Sequence, residues 1–176
     1  MELIQDPLRA EGYFFDPHAF RRSLYRLACS FFASAEFGRL GRASDTEPLS
    51  ELLGEHQEDE IARLLVSIAA TVRVIQDRDG GQSSVLHLPC GRLISNAVSS
   101  KQSELLTLRE ACNKIIHARR FNFDAKPLPP SEAQLPNPTY VLRPVLHLYG
   151  NLRQVEWKAE LSIVEFIRAA AILVRS

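Results

Sequence analysis

A chain of 176 residues is long enough for one domain, or for one domain with an appendage. Its 45% apolar and 24% charged residues are those of an ordinary folded globular protein and argue against global disorder. The 21 Lys and Arg residues balance 21 Asp and Glu, which argues against coating nucleic acid through a broad basic surface but leaves room for a local basic groove.

No apolar run reaches the roughly 18 residues of a membrane span. Met1 to Pro7 lacks the basic-then-apolar order of a signal peptide. A cytoplasmic protein with no membrane attachment is therefore expected. Cys29, Cys90 and Cys112 are an odd count without Cys-x-x-Cys spacing, which fits free thiols in a reducing compartment. His87 and Cys90 are close in sequence, but no second pair of ligand types supports them, so no metal is expected. No Gly-rich phosphate loop is present, and no cofactor is expected.

In chain order, Asp6-Pro7 and Gly12 break any early helix, and Tyr13, Phe14 and Phe15 follow. Asp16 as N-cap with Pro17 at the first helical position starts a helix. It is predicted to run to about Gly38, with Phe20, Leu24, Leu27, Ala28, Phe31, Phe32 and Ala35 as its apolar stripe. Arg21, Arg22 and Arg26 form a solvated basic flank. Gly38 to Gly41 ends it, Ser44 to Pro48 is a loop, and Leu49 to Gly54 is a helical turn. A long helix is predicted from His56 to Asp77, with Ile61, Leu64, Leu65, Ile68, Ala69, Val72 and Ile75 at helical spacing. Its acidic start (Glu55, Glu58, Asp59, Glu60) and Arg73 and Arg78 near its end suit the helix dipole. Val85 to Leu88 reads as a short strand, Pro89-Cys90-Gly91 as a turn, and Leu93 to Val98 as a short apolar run before polar Ser99 to Ser103.

The most informative stretch is Thr107 to His117. Thr107 with Glu110 makes a capping box. Leu108, Ala111, Cys112, Ile115 and Ile116 give one apolar face, where a cysteine such as Cys112 is inert packing. Arg109, Asn113 and His117 follow at i, i+4 steps on the other face. The bland reading of that stripe is structural: Arg109 pairs with Glu110 or another carboxylate, Asn113 bonds a neighbouring backbone, and His117 caps the helix C-terminus, which favours a cation. Phe121 to Asp124 is a strand or a helix exit. Prolines at 127, 129, 130, 136 and 138 make 126–138 an extended linker. Tyr140 to Tyr149 reads as a strand, placed at an edge by Pro144. Gly150-Asn151 is its turn, and Val155 to Leu161 alternates as the partner strand. Ser162 with Glu165 is a second capping box, opening a last helix through Ile163, Phe166, Ile167, Ala170, Ala171 and Leu173.

The predicted fold is therefore mainly α: a helical bundle over 1–125, the Pro-rich linker 126–138, and a β-hairpin plus C-terminal helix over 139–176 packed on the bundle as one compact unit. A helical bundle with Arg109, Asn113 and His117 on a late helix resembles the HEPN superfamily over roughly residues 17–120. Seven residues separate Arg109 from His117, where the family pattern has four to six.

That resemblance implies a metal-independent endoribonuclease of a bacterial toxin–antitoxin or antiviral defence system. His117 would be the general acid or base at a ribose hydroxyl. Arg109 would grip the phosphate, and Asn113 would orient the imidazole or the phosphate. Lys114, Arg119 and Arg120 would bind the RNA backbone. The resemblance also implies a homodimer, with an antitoxin or defence subunit as protein partner. The reading from another class is a non-catalytic HEPN-like dimerisation or interaction module.

Overall fold

The computed structural model describes residues 15–40, 48–78, 80–97, 102–128 and 140–175. Among them lie five α-helices: α1 (Pro17–Phe32), α2 (Ser34–Leu40), α3 (Pro48–Arg78), α4 (Leu108–His117) and α5 (Ile163–Leu173). Five strands, β1 (Pro89–Ile94), β2 (Glu104–Thr107), β3 (Arg120–Pro127), β4 (Tyr140–Leu152) and β5 (Val155–Ser162), form one antiparallel sheet in the order β2-β1-β5-β4-β3. This corrects the mainly α, HEPN-like bundle expected above: the protein is mixed α and β. Three strands come from the part read as a helical bundle, and β1 pairs directly with β5 of the hairpin. One core cluster runs from Phe20 to Leu173 and joins helices to sheet.

The helices read at sequence level follow their apolar spacing. Asp16 caps α1, its carboxylate accepting the His18 N–H at 2.8 Å. Phe20, Leu24, Leu27 and Phe31 are buried, whereas Phe32 is 60% exposed. The single helix expected to Gly38 is broken at Ala33 into α1 and α2. The long helix starts earlier than predicted, at Pro48, and absorbs the turn expected at Leu49 to Gly54. Its expected stripe from Ile61 to Val72 is buried, and α3 packs across α1, α2 and α4.

The strands depart from expectation for local reasons. Val85 to Leu88 is not a strand: Ser84–His87 forms a 3-10 turn. Pro89-Cys90-Gly91 is not a turn but the start of β1, where Pro89 holds the first position and Gly91 lies at a register shift. A Cβ at Gly91 would stand 1.9 Å from the Glu160 carbonyl oxygen, so only glycine admits β5 this closely. Leu105 and Leu106 belong to β2, which runs directly into the next helix.

Lys126 and Pro127, assigned to the linker, end β3. β4 lies inside the sheet, not at its edge. Pro144 is tolerated because β3 is irregular between Phe123 and Ala125, and pairing with β5 stops at Val145. The hairpin turn is Arg153-Gln154 rather than Gly150-Asn151. Both turn residues have positive φ, 51° and 69°, the form that suits hairpin twist. Gly150 instead faces Trp157 across the strands, where a Cβ would stand 2.1 Å from the indole. Tyr13, Phe14, residues 44–47, 99–101 and 129–138 of the sequence reading lie outside the described residues.

The sheet has two unlike faces. Leu146 and Leu148 of β4 with Trp157, Ala159 and Leu161 of β5 face the helices. The opposite face carries the cross-strand rows Arg92–Glu160–His147–Asn122 and Ile94–Lys158–Tyr149–Arg120. Such two-faced burial is usual for an antiparallel sheet. Among the described residues no helix is long and apolar enough to cross a membrane.

Candidate functional site

Thr107 ends β2 in an extended conformation and caps α4, its hydroxyl accepting the Glu110 N–H at 3.3 Å. The cap starts the helix at Leu108 and buries Leu108, Ala111, Cys112 and Ile115. The remaining face must point outward, which leaves Arg109 and His117 exposed and Asn113 half-buried. The His117 imidazole makes no hydrogen bond or ion pair among the described residues.

Asn113 is held from both sides. Its Oδ1 accepts from Arg73 Nη1 of α3, and its Nδ2 donates to Glu110 Oε2 at 3.2 Å. Glu110 Oε1 in turn meets Lys114 Nζ at 3.1 Å. The same ammonium sits 4.6 Å from the centroid of the Trp157 ring, a cation–π contact. Arg73, Asn113, Glu110, Lys114 and Trp157 thus form one connected polar line from α3 through α4 to β5. Burial alone would raise the Glu110 pKa. The bonds from Lys114 and Asn113 and the charges of Lys114 and Arg109 outweigh it and hold the carboxyl below its ordinary value.

Asn113, Glu110, Lys114 and Trp157 of this line form the floor of a groove between α4 and the tip of the β4–β5 hairpin, while Arg73 holds Asn113 without lining the groove. Glu110, Asn113, Lys114, His117, Asn151, Leu152 and Trp157 enclose about 420 Å³. A neighbouring hollow of about 590 Å³ shares Glu110, Lys114, Leu152 and Trp157 and adds Leu93, Ser95, Glu104, Leu105, Arg153 and Val155. Its rim is apolar and open: Leu152 is 63% exposed, Leu105 62% and Val155 42%.

The sequence-derived residues therefore divide. Asn113 and His117 of the stripe line the groove, with Lys114 of the RNA-binding set. Arg109 does not line it, and the carboxylate assigned to Arg109 is taken by Lys114 and Asn113. Arg119 is exposed, with its N–H bound to the Tyr149 carbonyl at 2.8 Å. Arg120 lies on the sheet face turned away from the helices, its guanidinium 6.0 Å from the Tyr149 ring.

Sequence reasoning missed Arg73 and Trp157, which stand 40 and 43 residues from Asn113 and Lys114. The Glu110–Lys114 pairing was legible as an i, i+4 spacing. Burial first, then the charge of Glu165, pushes the Cys90 thiol up to about 12, and burial raises Cys112 as well. Both stay protonated near neutrality and offer no thiolate nucleophile. His87 is exposed and Cys90 buried, and no set of three metal-ligating side chains gathers among the described residues.

No family model matches the chain, and no curated protein and no solved structure matches it significantly.

Proposed function

We propose that this chain is a binding module that receives an extended segment of a protein partner in the groove between α4 and the β4–β5 hairpin. One observation carries the reading: a floor whose polar groups already satisfy one another, under an apolar rim of Leu105, Leu152 and Val155 left open to solvent. A pre-satisfied floor keeps its shape when the ligand is absent, and the rim supplies surface whose burial is worth about 25 cal/mol per Å². The ionised Glu110 carboxylate on the floor, already shared by Lys114 and Asn113, suits a ligand with a polar or cationic group among apolar ones.

Trp157 is the one tryptophan of the sequence and lines the groove, so its fluorescence reports occupancy there. Peptides selected on the purified protein from a random library are expected to shift that emission and to lose affinity about 10-fold or more on Leu152→Asp. A library that enriches nothing, or peptides indifferent to Leu152→Asp, would sink the reading.

The second reading is a metal-independent ribonuclease of a toxin–antitoxin or antiviral defence system, with His117 as acid or base and Lys114 beside it at the RNA backbone, while Arg109 and Arg120 lie outside the groove. The observation favouring it is the exposed, unpartnered imidazole of His117 at the groove. It predicts RNA cleavage in chelator with cyclic phosphate ends, lost on His117→Ala. Intact RNA, or cleavage that His117→Ala leaves alone, removes it. Under either reading we assign the protein to the cytoplasm, where Cys29, Cys90 and Cys112 stay free thiols.

A further inference from the structure

α1 carries two apolar rows, and the fold uses one. Phe20, Leu24, Leu27 and Phe31 are buried. Tyr25, Cys29 and Phe32 form a second row that faces solvent, with Tyr25 70% and Phe32 60% exposed. Large aromatic side chains left bare in one row are not needed to solubilise a helix, and such a row marks a contact surface.

The row is bounded by opposite charges. Arg22 lies three residues before Tyr25, exposed and without a partner among the described residues. Glu36 lies four residues after Phe32, its side chain 62% exposed and paired with Arg39. Positions 22, 25, 29, 32 and 36 alternate steps of three and four, the spacing of a seam along which two helices pack. Helical hydrogen bonds run through the break at Ala33: its N–H reaches the Cys29 carbonyl at 2.8 Å, and the Phe37 N–H reaches the Ala33 carbonyl at 3.0 Å.

We propose that a second copy of this chain covers this row, the two α1 helices lying antiparallel about a two-fold axis near Cys29. The charge order selects this occupant and this direction. Reversal sets Tyr25 against the partner's Phe32 and Arg22 against the partner's Glu36. A parallel pairing would set Arg22 against Arg22 and Glu36 against Glu36, which is unfavourable. The interface is isologous and closes on itself. It uses none of the α4 groove residues, so it stands or falls apart from the function proposed above.

Sedimentation of the full chain over a wide concentration range tests it. A dimer is expected, and Tyr25→Glu with Phe32→Glu is expected to raise its dissociation constant about 100-fold or more. Far-UV circular dichroism should not change, because both side chains are exposed. Arg22→Glu is expected to weaken the dimer and Glu36→Arg, added to it, to restore it. Mild oxidation should cross-link wild type through Cys29, since Cys90 and Cys112 are buried, and Cys29→Ser should abolish the product. A monomer at every concentration overturns the proposal, whatever else covers the row. So does a dimer that survives the Tyr25/Phe32 double variant, or one that oxidation fails to cross-link.

Discussion

α4 and α5 begin alike and end in different work. Each follows directly on a strand, each is capped by the strand's last hydroxyl, Thr107 or Ser162, and each has glutamate three residues later. Each lays an apolar face toward the sheet. In α5 the outward polar groups answer one another locally, as in the Glu165–Arg168 pair at 2.7 Å, and Ala169 and Ala170 allow close packing. In α4 the outward polar groups reach other elements, Asn113 to Arg73 of α3 and Lys114 to Trp157 of β5. The same start signal thus yields a structural helix where the polar face is self-sufficient. It yields a candidate site where that face is tied into a neighbouring groove.

The contrast can be broken most strongly from the structural side. Phe166 is fully buried in α5, and Phe166→Ala is expected to cost about 3–5 kcal/mol in chemical denaturation. On α4, Ile116 is 39% exposed, and Ile116→Ala should cost less than about 1 kcal/mol. Equal losses would mean that the two helices are not differently committed.

The next effect falls on the groove itself. Gly150→Ala brings a Cβ onto the Trp157 ring and must push the indole off Lys114. A loss of about 1–3 kcal/mol and a red-shifted tryptophan emission are expected. An unshifted spectrum would mean that Gly150 does not set the floor.

The two caps should then prove equivalent. Thr107→Ala and Ser162→Ala are each expected to cost about 1 kcal/mol. A cap variant that loses groove binding without losing stability would show that α4's start is tuned for the site.

The smallest effect is a pH dependence. The folded Glu110 carboxyl lies below its ordinary value of 4.5. Its contribution is therefore present above that value and is lost as pH falls through the lower folded one. Glu110→Gln should flatten the acid side of the stability profile, and it should leave the ordering of the α5 variants unchanged. A profile unchanged by Glu110→Gln would remove the carboxylate's claimed coupling to Lys114 and Asn113.

The sequence by itself determined the apolar faces of the helices and the starts of α1, α4 and α5, but not the start of α3 or the break at Ala33. Apolar side chains at steps of three and four along α1, α3 and α5, and hydroxyl–glutamate pairs at Thr107 and Ser162, act within one or two turns. Their physical causes are local, so they can be read without the fold. It also placed Arg109, Asn113 and His117 on one outward face of α4.

Only the tertiary structure decided what those groups meet. Pro89-Cys90-Gly91 has the composition of a turn and becomes a strand because β5 approaches Gly91 too closely for any side chain. Gly150 looks like a hairpin tip and instead makes room for Trp157. β2 is four residues long and runs straight into helix-favouring sequence, so only its pairing with β1 reveals it. Strand pairing and the Arg73–Asn113 bond join residues far apart in the chain, and their free energy exists only once the chain has closed. That is why individual helices and the β4–β5 hairpin were legible, whereas the five-stranded sheet, the groove and the Arg73–Asn113 bond were not.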